Sequence, residues 1–242
     1  MERKTNLFII LMGLYPLISV GQNSETIYKA YIKGDMEKWK YSIDSLENIR
    51  NKTNNEKLEL INYQYGYIAW CINQQKINEA ERYIAKAEEL IDFLEKQPHF
   101  LSTVYAYKAA FVGFEIGISP YKAPFIGAHS LTYAKKSAAL DSTNPLAYIQ
   151  LGNIAYYTPK IIGGSKSEAI QHYKMALQLM EKNYSSINQN WNYLNLIAIL
   201  IQTYIDTGQY KTAKKYCIKA LSIEPEFDWI KNELYPEVLK RS

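Results

Sequence analysis

The feature that most constrains this chain is a helical-hairpin pattern that returns along its length. It is clearest near the C-terminus, in Leu200, Tyr204, Gly208, Tyr210, Ala213, Ala220 and Pro225. Apolar residues at helical spacing mark two amphipathic helices. Alanines at their crossing permit close approach, Gly208 opens the turn between them, and Pro225 ends the pair. Upstream, Tyr148, Leu151 and Gly152 repeat the first helix, and Ala169, Tyr173 and Ala176 repeat the second. The turn between those two is enlarged over 158–164, and Ser165 with Glu168 three residues later reads as a capping box opening the next helix. An earlier pair joins a helix over about 56–71 to one carrying Ala80, Ile84, Ala87, Ile91 and Leu94. At the start, Tyr28, Ala30 and Tyr31 lead through Gly34 and Asp35 into a helix carrying Met36, Trp39, Ile43 and Leu46.

The middle predicts a helix over 101–116, an enlarged turn over 117–129 containing Pro120, Pro124 and Gly127, and a helix ending near Leu140. In this reading Pro124, Ile126 and Gly127 match Pro159, Ile161 and Gly163 of the later turn. Asn144 then caps a helix whose first turn holds Pro145. Phe227, Trp229, Ile230 and Leu234, ahead of Pro236, suit a helix covering the last pair.

These residues resemble the tetratricopeptide repeat (TPR) family over roughly 25–239, most clearly in the final third. As a whole the chain is similar to small exported TPR proteins of Gram-negative bacteria. The resemblance implies an all-α fold: a right-handed superhelical solenoid of about five degenerate repeats plus a C-terminal capping helix. Equivalent points at Trp39, Ala80, Ser130, Ala169 and Ala213 lie 41, 50, 39 and 44 residues apart, longer than the family repeat of about 34.

Residues 1–21 read as a secretory leader. Arg3 and Lys4 precede an apolar run from Leu7 to Leu14, Pro16 follows, and Ser19 and Gly21 flank Val20 as a cleavage site would. The alternative, an uncleaved anchor, is short against the roughly 20 residues a bilayer requires. Residues 22–242 then form one folded domain, periplasmic or secreted, with no membrane insertion after leader cleavage. A composition of 48% hydrophobic and 21% charged residues suits a folded domain, and a net charge of +4 argues for neither nucleic acid nor an anionic membrane as partner. The 22 tyrosines against 7 phenylalanines point to half-wet, half-packed surfaces. Cys71 and Cys217 lie on apolar helical faces far apart in the chain. Because a solenoid repeat touches only its neighbours, they read as buried free thiols rather than a disulfide.

Little in the sequence points to catalysis. Gly163, Gly164 and Ser165 at a helix start could cradle a phosphate, but a P-loop wants its Lys and hydroxyl in a strand-to-helix setting and no strand precedes this turn, so turn geometry is the better reading. Among His99, His129 and His172, the pair of Glu168 with His172 stands at helical spacing, and one such pair is poor evidence for a metal. No catalytic residue, metal site or cofactor is expected. In the TPR family the first helix of each repeat lines a concave groove. Transferring the register places Asn153, Tyr156, Tyr157, Asn195 and Gln202 there, with Tyr65 and Asn62 from an earlier repeat. These residues are neutral, so a clamp for a peptide carboxylate is not expected. The tyrosines either line a groove or fill gaps between repeats. The expected function is an adaptor that docks a protein or peptide partner. The alternative is a periplasmic carrier or transporter-accessory protein holding a small apolar or sugar-like ligand.

Overall fold

The structure is a computed structural model that describes residues 20–182 and 187–241. The expected leader thus lies almost wholly outside the described residues. The elements are α1 (Val20–Lys33), α2 (Met36–Glu47), α3 (Asn54–Asn73), α4 (Ile77–Leu94), α5 (Leu101–Ile118), α6 (Ala123–Leu140), α7 (Pro145–Tyr157), α8 (Lys166–Glu181), α9 (Trp191–Asp206), α10 (Tyr210–Ile223) and α11 (Tyr235–Arg241). The fold is all-α, with no strand among the described residues. Consecutive helices pack as antiparallel pairs, from α1 with α2 to α9 with α10, and α11 packs on the last pair. No helix among the described residues is long and apolar enough to cross a membrane.

Two kinds of turn close the pairs. In the first, second and fifth, the helix ends on a left-handed residue: Gly34 (φ 65°), Gln75 (φ 57°) and Gly208 (φ 71°). Each is followed by the same hydrogen bonds, such as Asp35 N to Ala30 O, Lys76 N to Cys71 O and Gln209 N to Tyr204 O. This is the Schellman arrangement, which satisfies the last carbonyls of a helix. The third and fourth pairs turn instead through Pro-led 3-10 segments, Pro120–Lys122 and Lys160–Ile162.

Four sequence expectations need correction. The turn expected over 117–129 is shorter, because Pro124 and Gly127 lie inside α6. A proline in the first helical turn gives up an amide that has no intrahelical partner anyway. Ser165 accepts from Glu168 N at 3.2 Å, but the Glu168 carboxylate turns to His172, 3.6 Å away, so only half the expected capping box forms. The complete box is Thr53 with Glu56. Pro236 does not end the last helix. A wider π-type turn over Ile230–Leu234 precedes it and lets the chain pass a residue that cannot donate.

The fourth correction concerns the whole arrangement, because the first pair does not touch only its neighbour. α1 packs on α9, Tyr28 Oη donates to Glu224 at 3.0 Å, and Lys33 bridges Glu226 and Asp228. The physical cause is a set of interlocking rings. Trp39 and Trp191 meet edge-on at 4.8 Å, and Tyr31 packs on Trp191 at 5.6 Å and on Phe227 at 5.2 Å. Gly66 makes room, since a Cβ there would sit 2.6 Å from Trp39 and 2.8 Å from Trp191. α9 is therefore buried nearly all round, as a helix packed on several sides must be. Cys71 and Cys217 are both buried and free, the first in the core built from α1 to α5 and the second in the core around α8 to α11.

Candidate functional site

α7 carries Gln150, Asn153, Tyr156 and Tyr157. Its start is fixed by Asn144, whose side chain accepts from Leu146 N at 3.0 Å, with Pro145 in the first turn. Gly152 brings α8 close, because a Cβ at that position would lie 2.4 Å from the Tyr173 ring. Tyr173 Oη can then reach over α7 and donate to Asn153 Oδ1 at 2.8 Å. Asn153 Nδ2 donates to Gln150 Oε1 at 3.1 Å, and Gln150 Nε2 approaches Tyr65 Oη at 3.5 Å. This chain of polar groups runs from α8 through α7 to α3 without leaving the protein. Burial pushes the Tyr65 and Tyr173 hydroxyls above their ordinary pKa, so all its members are neutral at physiological pH.

A second cluster gathers at Asp206, the last residue of α9. One carboxylate oxygen accepts from Tyr156 Oη and from Lys166 Nζ, the latter at 3.1 Å, and the other accepts from Gln202 Nε2 at 3.0 Å. Burial disfavours the charge, but the hydrogen bonds from Tyr156, Gln202 and Lys166 outweigh it and hold the carboxyl below its usual pKa. The Tyr157 ring stands edge-on to Tyr156 at 4.8 Å and is 77% exposed. Its hydroxyl is nonetheless pushed up by burial and by the Asp206 charge.

The expected site residues fall into two groups: Asn153 and Tyr65 share the first network through Gln150, and Tyr156 and Gln202 share the Asp206 cluster. Tyr157 joins the second group through its contact with Tyr156. Asn195 is engaged elsewhere, accepting from Tyr31 Oη at 3.0 Å, and Asn62, half-buried on α3, joins neither network. The tyrosines divide between the two roles left open by the sequence. Tyr65 is 8% exposed and packs against Tyr107, Phe114 and Trp191, whereas Tyr157 remains open. The sequence reading missed Asp206, Gln150 and Tyr173 as partners; Tyr173 carried only the signal of a core position.

The Gly163–Ser165 turn has a structural explanation. Gly163 takes φ 102°, and a Cβ on Gly164 would fall 1.7 Å from the Thr158 carbonyl oxygen, so both glycines are required for the chain to fold back. No group of three His, Cys, Asp or Glu among the described residues is placed to hold a metal ion.

No protein-family model matches the chain, and no curated protein matches it. Among solved structures it is similar to the HusA haemophore from Porphyromonas gingivalis. The TM-score is 0.56 at 16% identity, covering 76% of this chain and 86% of that one. At that identity the likeness is one of fold.

Proposed function

We propose that this chain is a non-catalytic binding protein that works outside the cytoplasm and takes a flat, apolar ligand against Tyr157, at the edge where α7 and α9 end. Its helix pairs are read as degenerate tetratricopeptide-type repeats. Support comes from the Schellman turns at Gly34 and Gly208 and from the fully buried Ala80, Ala169, Ala213 and Ala220 of the second helices. The observation that carries the function is the exposed Tyr157 ring beside the polar cluster at Asp206. A large exposed aromatic face offers stacking area, and the convergent Asp206, Lys166 and Gln202 groups offer orientation. An adaptor holding an extended peptide fits less well, because Tyr31, Trp39, Tyr65 and Trp191 pack on one another instead of standing free to receive one.

The similar structure belongs to a protein named a haemophore, which makes haem the first ligand to try. Haem is flat and apolar and carries carboxylates that Lys160 and Lys166 could meet, and a tyrosine hydroxyl is a known kind of iron ligand. Titration of the purified protein with haemin, followed by absorbance, is expected to saturate at one equivalent. Tyr157→Ala is expected to weaken binding at least tenfold without shifting the melting temperature. A titration curve indistinguishable from free haemin, or equal affinity in the variant, overturns the reading.

A further inference from the structure

A groove beside α8 is separate from the site at Tyr157. The helix leaves Ser167, Gln171, Lys174 and Gln178 exposed, at helical spacing that puts them on one stripe. Ile170 and Met175 flank that stripe, and Tyr204 of α9 with Gln209, in the turn before α10, completes the lining. The groove has a volume of about 410 Å³.

That size selects the kind of occupant. Small-molecule sites run from about 300 to 1,000 Å³, whereas a specific protein interface covers about 800 Å² on each partner. The groove therefore suits one small molecule, not a docked helix. Its apolar part is limited. Ile170 and Tyr204 are only 8% and 5% exposed, and Met175, 43% exposed, supplies a single apolar edge. A flat apolar ligand would gain little there.

The polar groups are uncommitted. The side chains of Ser167, Gln171 and Gln178 make no hydrogen bond with the described residues. Gln209 Nε2 donates to Thr207 Oγ1 at 2.9 Å, which leaves Oε1 to accept. Lys174 is the only charged residue of the lining and makes no ion pair with the described residues. The carboxylates nearest to it in the chain are engaged by other groups: Glu168 faces His172 at 3.6 Å, and Glu181 takes Lys219 and, at 2.9 Å, Tyr193 Oη. Asp206 is held by Tyr156, Lys166 and Gln202. One cation thus stands among groups that are otherwise neutral.

We propose that this groove binds a small sugar carrying one acidic group, a carboxylate or a phosphate. A carboxamide donates and accepts at once, as a hydroxyl does, so Gln171, Gln178 and Gln209 are matched to a ring of hydroxyls rather than to a surface of one polarity. Met175 lies against the C–H face of the sugar ring, and Lys174 meets the acid. The groove shares no residue with the Tyr157 site.

The test is titration of the ¹⁵N-labelled protein with glucuronic acid, glucose 6-phosphate and glucose, followed by amide NMR, which reports the glutamine side chains directly. At least one acidic sugar is expected to saturate, to shift the side-chain amides of Gln171 and Gln178, and to bind about fivefold tighter than glucose, as one exposed ion pair allows. Lys174→Gln should erase that preference. Gln171→Ala with Gln178→Ala should weaken binding at least tenfold. These positions are exposed, so the variants should melt as the parent does. Glucose binding as tightly as both acidic sugars overturns the proposal, as does binding that survives the double glutamine variant, or no saturation with any of the three. Inorganic phosphate binding as tightly as glucose 6-phosphate, with no binding of glucuronic acid, would make the groove an anion site and also overturn it.

Discussion

Gly66 offers the sharpest test of how the first and last helix pairs are joined. In an ordinary exposed helix position, Gly→Ala stabilises by about 1 kcal/mol, because alanine loses less backbone entropy. At Gly66 the added methyl would lie 2.6 Å from Trp39 Cζ2 and 2.8 Å from Trp191 Cη2. Neither ring can easily retreat, since Trp39 is anchored by its indole N–H on Tyr63 O at 2.9 Å and both rings are buried. Overpacking of this kind costs about 1 to 3 kcal/mol, and two confined indoles put the cost at the upper end. Gly66→Ala should therefore destabilise by about 1 to 2 kcal/mol net. Gly113 is the internal control, because it lies within α5 and a methyl added there would meet nothing within 4 Å, and Gly113→Ala should gain about 1 kcal/mol. Urea unfolding followed by circular dichroism measures both. If Gly66→Ala is as stable as Gly113→Ala, the Trp39–Trp191 contact does not close the fold, and the packing of α1 on α9 is wrong.

Three further outcomes follow from the same packing. Gln75 stands in the left-handed conformation that Gly34 and Gly208 occupy elsewhere, so Gln75→Gly should stabilise by about 0.5 to 1 kcal/mol in the same urea assay; a loss of stability would contradict the turn. Burial and neighbouring carboxylates raise the pKa of Tyr28, Tyr83 and Tyr193, and burial pushes the Cys71 and Cys217 thiols up to about 11. Above the ordinary values of about 8.5 for Cys and about 10 for Tyr, the unfolded chain gives up protons that the folded chain keeps. Stability should thus be full at neutral pH and fall steeply as pH rises through about 10, seen as a falling melting temperature; a flat profile there would refute the burial of these hydroxyls. Both thiols should react with a thiol reagent only after denaturation, giving two equivalents without reductant, and immediate reaction of either in the native protein would contradict its burial.

The helix pairs were legible where the turn residues were distinctive. Gly34 and Gly208 announce their turns, and the alanines of α8 and α10 announce close crossings. The second pair was blurred because Gln75 does in the structure what glycine does elsewhere. Pro124 misled because a proline suits a loop and a first helical turn equally. The meeting of α1 with α9 left no local trace, since periodicity reports the apolar face of a helix and not the distant surface that covers it. The site shows the same division. Register puts Asn153, Tyr156 and Tyr157 on one helix, α7, but Asp206 and Gln150 meet partners from other helices, Tyr156 and Tyr65, which only the folded chain brings within reach.

The location of the ligand site is the claim that most needs direct measurement. Hydrogen–deuterium exchange of the purified protein, with and without haemin, reports it peptide by peptide. Protection confined to the ends of α7 and α9, together with the turn that follows Tyr157, is the expected result. Protection elsewhere with no change at that edge would contradict the account.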